Sequence, residues 1–159
     1  MQLLDQAQTL ELQNGLHGDP FSLLGFHSID PDQPSRGWVY RVFQPHAVKV
    51  EAQFKDGEDF QRISKVTETG LFEHQIKRPV ADLHPLLKMT DADGNTWERV
   101  DPYTFGPQVA NFDLQLWGEG NHQRAYKLCG AHVKTIDGLK GVHFVVSAPA
   151  ARRVSVVGD

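Results

Sequence analysis

Three tryptophans, Trp38, Trp97 and Trp117, and six carboxylates, Glu51, Asp56, Glu58, Asp59, Asp91 and Asp93, are the residues whose types bear most directly on chemistry. Indole offers a flat apolar face and one N–H donor, which suits stacking on a hexose or another amphipathic ring. Trp38 and Trp97 fall in segments that read as strands, where packing is the commoner use of indole. Trp117, beside Gly118 and Gly120, reads as an interdomain contact ahead of a ligand platform. Paired carboxylates do acid–base and nucleophilic work on glycosidic bonds when held at a fixed separation. All six here sit at strand ends or in hairpin loops, and a solvated loop face explains them better. Eight histidines raise the question of a metal, yet no HExxH or CxxC spacing occurs. His17 and His27 flank Asp19, and loop hydrogen bonds suit them better than ligation. Cys129 has His132 three residues on, but a buried structural thiol is the commoner case. No GxSxG elbow, phosphate loop or dinucleotide fingerprint appears. No catalytic residue, cofactor or metal is therefore expected.

Bulk properties narrow the partners. The net charge is −4 with no basic stripe, so neither nucleic acid nor an anionic membrane is an expected partner. A single cysteine excludes an intrachain disulfide and fits a reducing compartment. The first fifteen residues, MQLLDQAQTLELQNG, lack the charged start and apolar run of a secretory leader, and no stretch has the apolar length of a span. The expected address is the cytoplasm.

The elements that must position these residues read as β. A short helix over 2–14 places Leu3, Ala7 and Leu10 on one face, with Leu4 beside them and Gly15 as its stop. Residues 18–37 carry turn signals at each end, and Phe21, Leu23, Leu24 and Phe26 are dense enough to cap a core. Strands are expected near 38–44, 48–54, 60–66, 71–76, 83–90 and 95–100. Asp56-Gly57 and Asp93-Gly94 mark hairpins, because Gly tolerates positive φ and Asp bonds its own backbone. Regular short strands with this turn chemistry predict an antiparallel, immunoglobulin-like sandwich. DPYTFGP at 101–107 reads as its end, 108–131 as an irregular apolar connector, and Asp137-Gly138 as a third hairpin turn.

One passage occurs twice. GWVYRVFQPHAVKVEAQF at 37–54 and GVHFVVSAPAARRVSVVG at 141–158 align at a constant offset of 104. Gly37/Gly141, Val42/Val146, Pro45/Pro149, Ala47/Ala151 and Val50/Val154 are identical. Apolar alternation around a Pro-x-Ala turn predicts two antiparallel strands joined by a short loop in each copy. The first copy is followed by enough chain to finish a domain, and the second is followed by Asp159 alone. The expected organisation is a sandwich over 1–107, a docked linker over 108–136, and the truncated start of a second sandwich over 137–159.

The segments LHGDPFSLLGFH, GLFEHQI, DPYTFGPQVANFDLQLWGEGNH, YKLCGAH and DGLKGVHFVVSAPAARRVSVVGD occur in this order across nearly the whole chain. They resemble the N-terminal part of bacterial 1,4-α-glucan (glycogen) branching enzymes. Ser147 stands where many members have Trp, and Cys129 also departs from the common pattern. The resemblance implies an accessory β-sandwich, then a second sandwich of the glycogen-binding type, then a TIM barrel with an Asp nucleophile and a Glu acid/base. It implies a parent enzyme that cleaves an α-1,4-glucan and transfers it to a 6-hydroxyl. None of that barrel lies in these 159 residues. The expected function is a non-catalytic module that supports the barrel and influences transferred chain length, with α-glucan and its own catalytic domain as partners. Two alternatives stand beside it. One is a stand-alone glucan-binding module using Trp38, Trp97 or Trp117. The other is the leading part of a debranching or trehalose-releasing glycoside hydrolase.

Overall fold

In the computed structural model, residues 6–81 and 83–157 are described. They divide into two compact units, 1–106 and 107–159.

The first unit is built on seven antiparallel strands. These are β1 Gly25–Ser28, β2 Trp38–Phe43, β3 Lys49–Gln53, β4 Gln61–Lys65, β5 Leu71–Ile76, β6 Leu86–Thr90 and β7 Thr96–Val100. They form one sheet in the order β1-β2-β5-β4-β3-β6-β7. The sheet curls so that its two halves share an interior, and β4 is the corner. Its first residues pair with β3 (Val50↔Ile63, Ala52↔Gln61), and its last pair with β5 (Ser64↔Glu73, Lys65↔Phe72). Period-two alternation then decides burial. Tyr40, Val42, Phe72 and Ile76 from one half meet Val50, Ala52, Ile63, Leu87 and Met89 from the other, all nearly fully buried. The opposite face of β2 and β5 carries Phe43 and Leu71, packed with Leu12, Leu23 and Leu24 in a second cluster that Tyr103 borders. The all-β, sandwich-like architecture expected from the sequence is what forms, and the six predicted strands appear within three residues of their expected bounds. The sequence reading missed β1, whose four residues GFHS are too few to show a period.

Two hairpins follow their turn signals. Asp56-Gly57 joins β3 to β4 and Asp93-Gly94 joins β6 to β7, with Gly57 at φ 80° and Gly94 at φ 86°. The Pro-x-Ala passage departs from expectation. β2 pairs with β1 and β5, whereas β3 pairs with β4 and β6. The turn at Pro45 to Ala47 is therefore an arch that carries the chain across the interior, and β2 and β3 do not form a hairpin with each other. Each strand finds a better partner at long range, which local alternation cannot reveal. The arch rests on Gly70. A Cβ there would lie 2.4 Å from Pro45 Cα and 2.7 Å from the Gln44 carbonyl oxygen.

The N-terminal helix α1 spans Gln6–Gln13. Gly15, at φ 67°, donates to Leu12 O (3.1 Å), and Leu16 donates to Glu11 O (2.8 Å), so the helix ends in a Schellman motif. The buried face differs from the expected one. Thr9 and Leu12 are buried, whereas Ala7 and Leu10 are exposed. Leu3 and Leu4 lie outside the described residues.

The second unit holds helices α2 Asn111–Gly118 and α3 Ala125–Leu128, then strands β8 Gly130–Ile136 and β9 Leu139–Val145. Residues expected to be irregular are thus partly helical. Leu114 N donates to Ala110 O and Asn121 N to Leu116 O, so local helical bonding accounts for the segment without a sheet. β8 and β9 pair through the predicted Asp137-Gly138 turn, where φ is 48° and 82°. Both residues are left-handed, as a two-residue I′ turn requires. The second copy of the repeat forms its first strand only, and residues 151–157 are not in a strand.

Candidate functional site

The two strand tryptophans point inward. Trp38 (paired with Ile76) and Trp97 (paired with Met89) are half-buried and pack on the main cluster. Trp117 lies in the second unit, 39% exposed, with its ring tilted 59° to that of His122 at 6.3 Å between centroids. His122 Nε2 lies 3.0 Å from Asp113 Oδ1, and its Nδ1 is buried without a partner. Trp38 and Trp97 thus belong to the first unit and Trp117 to the second.

The loop carboxylates have structural work. Asp91 Oδ1 accepts from the backbone N–H of Asp93 and Asn95 (both 2.9 Å), and its Oδ2 accepts from Asn95 Nδ2 (2.9 Å). The Asn95 amide foremost holds the Asp91 carboxyl below its usual range. Glu58 binds Arg78 through both oxygens at 2.6 and 2.8 Å, and that guanidinium holds its pKa down. Glu51 pairs with Lys49 at 2.8 Å. Glu51 thus lies within β3, Glu58 in the β3–β4 turn and Asp91 at the β6–β7 turn, each engaged by an ion pair or by turn hydrogen bonds. His17 Nδ1 accepts from Asp19 N–H at 3.2 Å, and His27 Nε2 lies 2.9 Å from Leu24 O. Burial lowers the pKa of His27, so it favours the neutral form. Among the described residues, no three His, Cys, Asp or Glu side chains gather as a metal site. Cys129 is half-buried, and its carbonyl lies 3.0 Å from His132 Nε2.

The most elaborate polar arrangement is one the sequence reading passed over. Asp101, 2% exposed, is the first residue of DPYTFGP. Its Oδ2 accepts from the Tyr40 hydroxyl at 2.6 Å, and its Oδ1 accepts from Tyr103 N–H at 3.1 Å. Its own N–H donates to Pro85 O (3.1 Å), and its carbonyl accepts from the Thr104 hydroxyl (2.8 Å). Desolvation raises the Asp101 carboxyl pKa, against the pull of Tyr40 and Tyr103. Asp101 caps the 3-10 turn Pro102–Phe105, which follows edge strand β7 and lies against the other edge, β1. There a Cβ on Gly25 would sit 2.7 Å from Tyr103 O, so only glycine admits the approach. The arrangement orders the fold and has the geometry of a clasp. Its only forewarning in the sequence was Asp before Pro, an N-cap signature.

A broad exposed apolar surface occurs in the second unit. On one face of the β8–β9 hairpin, Val133 is 67%, Val142 50% and Phe144 47% exposed, with Ala131 beside them. Repeat positions 40, 42, 50 and 52 are buried in the first copy. Their counterparts Phe144, Val146, Val154 and Val156 are exposed.

Comparison with known proteins shows where the β unit belongs. The sequence model for the N-terminal domain of α-1,4-glucan branching enzyme GlgB matches residues 5–103. The 1,4-alpha-glucan branching enzyme GlgB of Thiobacillus denitrificans is 42% identical over 159 residues, covering 99% of this chain and 20% of that protein. The GlgB of Methylococcus capsulatus is 38% identical over 143 residues, covering 90% of this chain and 18% of that protein. That of Bradyrhizobium diazoefficiens is 44% identical over 154 residues, covering 96% and 20%. The chain spans about a fifth of the length of these curated relatives. With the family model covering most of the described β unit, the chain belongs to the family of α-1,4-glucan branching enzyme GlgB N-terminal domains.

Proposed function

We propose that this chain is a non-catalytic module of a branching enzyme. In this reading the parent transfers α-1,4-glucan segments to 6-hydroxyls, and the module supports its catalytic barrel and influences the length of chain transferred. The supporting observation is that Glu51, Glu58 and Asp91 serve ion pairs and turns, while the family match is to an N-terminal domain. The exposed apolar face of β8–β9 is the kind of surface a neighbouring domain covers. The proposed address is the cytoplasm, consistent with a single cysteine and with no described helix long and apolar enough to cross a membrane. The decisive experiment compares branch-length profiles of products made by a whole parent enzyme and by the same enzyme lacking residues equivalent to 1–106. A shifted profile is expected, and identical profiles would overturn the reading.

Exposure of Trp117 keeps glucan binding as a second reading. Titrating the chain with maltoheptaose while following Trp fluorescence separates the two. A module that only supports a barrel stays silent, whereas a platform at Trp117 gives a saturable change that Trp117→Ala abolishes.

A further inference from the structure

The seven-stranded sheet of the first unit is open along one seam, because β1 and β7 are both edge strands. An unpaired seam exposes backbone donors and acceptors and is normally covered. Here the cover is a strap, residues 101–106, made of chain that has just left β7. Few bonds hold it. The carboxylate of Asp101 takes the Tyr40 hydroxyl from β2, and the Asp101 N–H reaches Pro85 O ahead of β6. Thr104 meets His84 Nδ1 at 3.1 Å, and the His84 ring stacks on Phe105 at 4.2 Å. Tyr103 rests edge-on against Phe21 at 5.3 Å. Behind the strap, the β2–β5 and β3–β6 ladders are continuous and their inward side chains are buried.

We propose that residues 101–106 are a releasable strap latched by Tyr40 and Asp101, which lifts off the seam while the curled sheet stays folded. Three observations make the lifting local. The strap contributes no strand to the sheet. The Tyr40–Asp101 bond joins positions 61 residues apart, and the Asp101 N–H to Pro85 O bond extends the β6–β7 register by one pair, so release frays that ladder at its last pair alone. Its carboxylate is almost completely dehydrated, and burial raises its pKa, so an ionised Asp101 regains water when the strap lifts. The charged and titratable groups around it are Tyr40 on β2, Arg99 on β7, Tyr103 within the strap and His84 before β6. Release has a geometric result. The strap runs directly into residue 107, where the second unit begins. Six residues freed at about 3.4 Å each add roughly 20 Å of tether between the units. The strap is thus stored length in the connection between two bodies.

Native-state hydrogen exchange on the full 159-residue chain, followed residue by residue at one pH, tests this. Tyr40→Phe removes the latch donor and keeps the ring. Its expected effect is at least tenfold faster exchange at the amides of Asp101, Tyr103 and Thr104, with those of Val50, Ile63 and Leu87 changed less than twofold. Asp101→Asn leaves one side-chain oxygen for two donors, the Tyr40 hydroxyl and the Tyr103 N–H, so it should also speed exchange at the strap amides at least tenfold, with the sheet amides changed less than twofold. Equal acceleration at strap and sheet amides in Tyr40→Phe, or no acceleration at either, would overturn the proposal. So would Asp101→Asn leaving the strap amides as protected as in the parent chain.

Discussion

Arg41 and Glu73 face each other across β2 and β5 at 2.7 Å, with side chains only 7% and 14% exposed. Taking two charges out of water is costly, and their attraction recovers that cost only while both are present. Glu73→Ala is expected to destabilise the first unit by about 3 kcal/mol in urea denaturation, because it strips a buried guanidinium of its carboxylate partner. Replacing both residues with apolar ones of similar size, Arg41→Met with Glu73→Leu, should cost clearly less than the single change. Tyr40 adds a pH dependence. Burial foremost, then Asp101, raises its phenol pKa well above the usual value. A raised phenol pKa gives stability that is full below the unfolded value of about 10 and is lost as pH rises through the folded one. Melting temperature should therefore fall above about pH 10, and Tyr40→Phe should flatten part of that fall. Tyr103, also raised chiefly by burial, keeps the remainder. Neither residue pair was legible in the sequence. Arg41 and Glu73 lie 32 positions apart and Tyr40 and Asp101 lie 61 apart, and residue type alone does not say which charges or hydroxyls meet across a sheet.

At the scale of elements, glycine separates turns from close approaches. Gly57 and Gly70 both have positive φ, 80° and 95°. Nothing lies within 4 Å of a Cβ on Gly57, whereas one on Gly70 would strike the backbone of the Pro45 arch. Gly57→Ala is expected to cost about 1 kcal/mol, the strain of a left-handed backbone. Gly70→Ala should cost about 3 kcal/mol, because overpacking adds to that strain. Urea midpoints of the two variants measure the difference. The same contrast explains what the sequence revealed. Asp-Gly turns are chosen by their own two residues, so all three hairpins could be read directly. The arch at Pro45 has the same local grammar as a hairpin, but its course depends on β5 and β6, which lie 26 to 45 residues downstream. The helix face was misread for a related reason. Leu10 and Leu12 are equally apolar, and only the outer surface of β2 and β5 selects Leu12.

The whole molecule is unequal in its two parts. Every buried residue among those described lies at or before Asp101, and from 107 onward none is buried. Apolar area removed from water is the main force that pays for chain entropy, so cooperative stability resides in the first unit. A chain cut after Gly106 is expected to keep the melting temperature and enthalpy of the parent chain. Residues 107–159 alone should show no cooperative calorimetric transition, since an isolated two-stranded ribbon is marginal in water. The doubled passage made this asymmetry partly legible. The two copies share their alternation, and strands β4 to β7 fold over the first.

Among the described residues the β8–β9 ribbon has no third strand, so its two outer backbone rails run alongside the exposed Val133, Val142 and Phe144. Open rails beside greasy side chains invite other molecules to stack in register. Concentrated solutions of this chain will tend to cloud with time, and the remedy follows from the register. Lysine substituted for Val142, midway along the bare face and opposite Val133, would act as a gatekeeper while leaving the sheet of the first unit untouched.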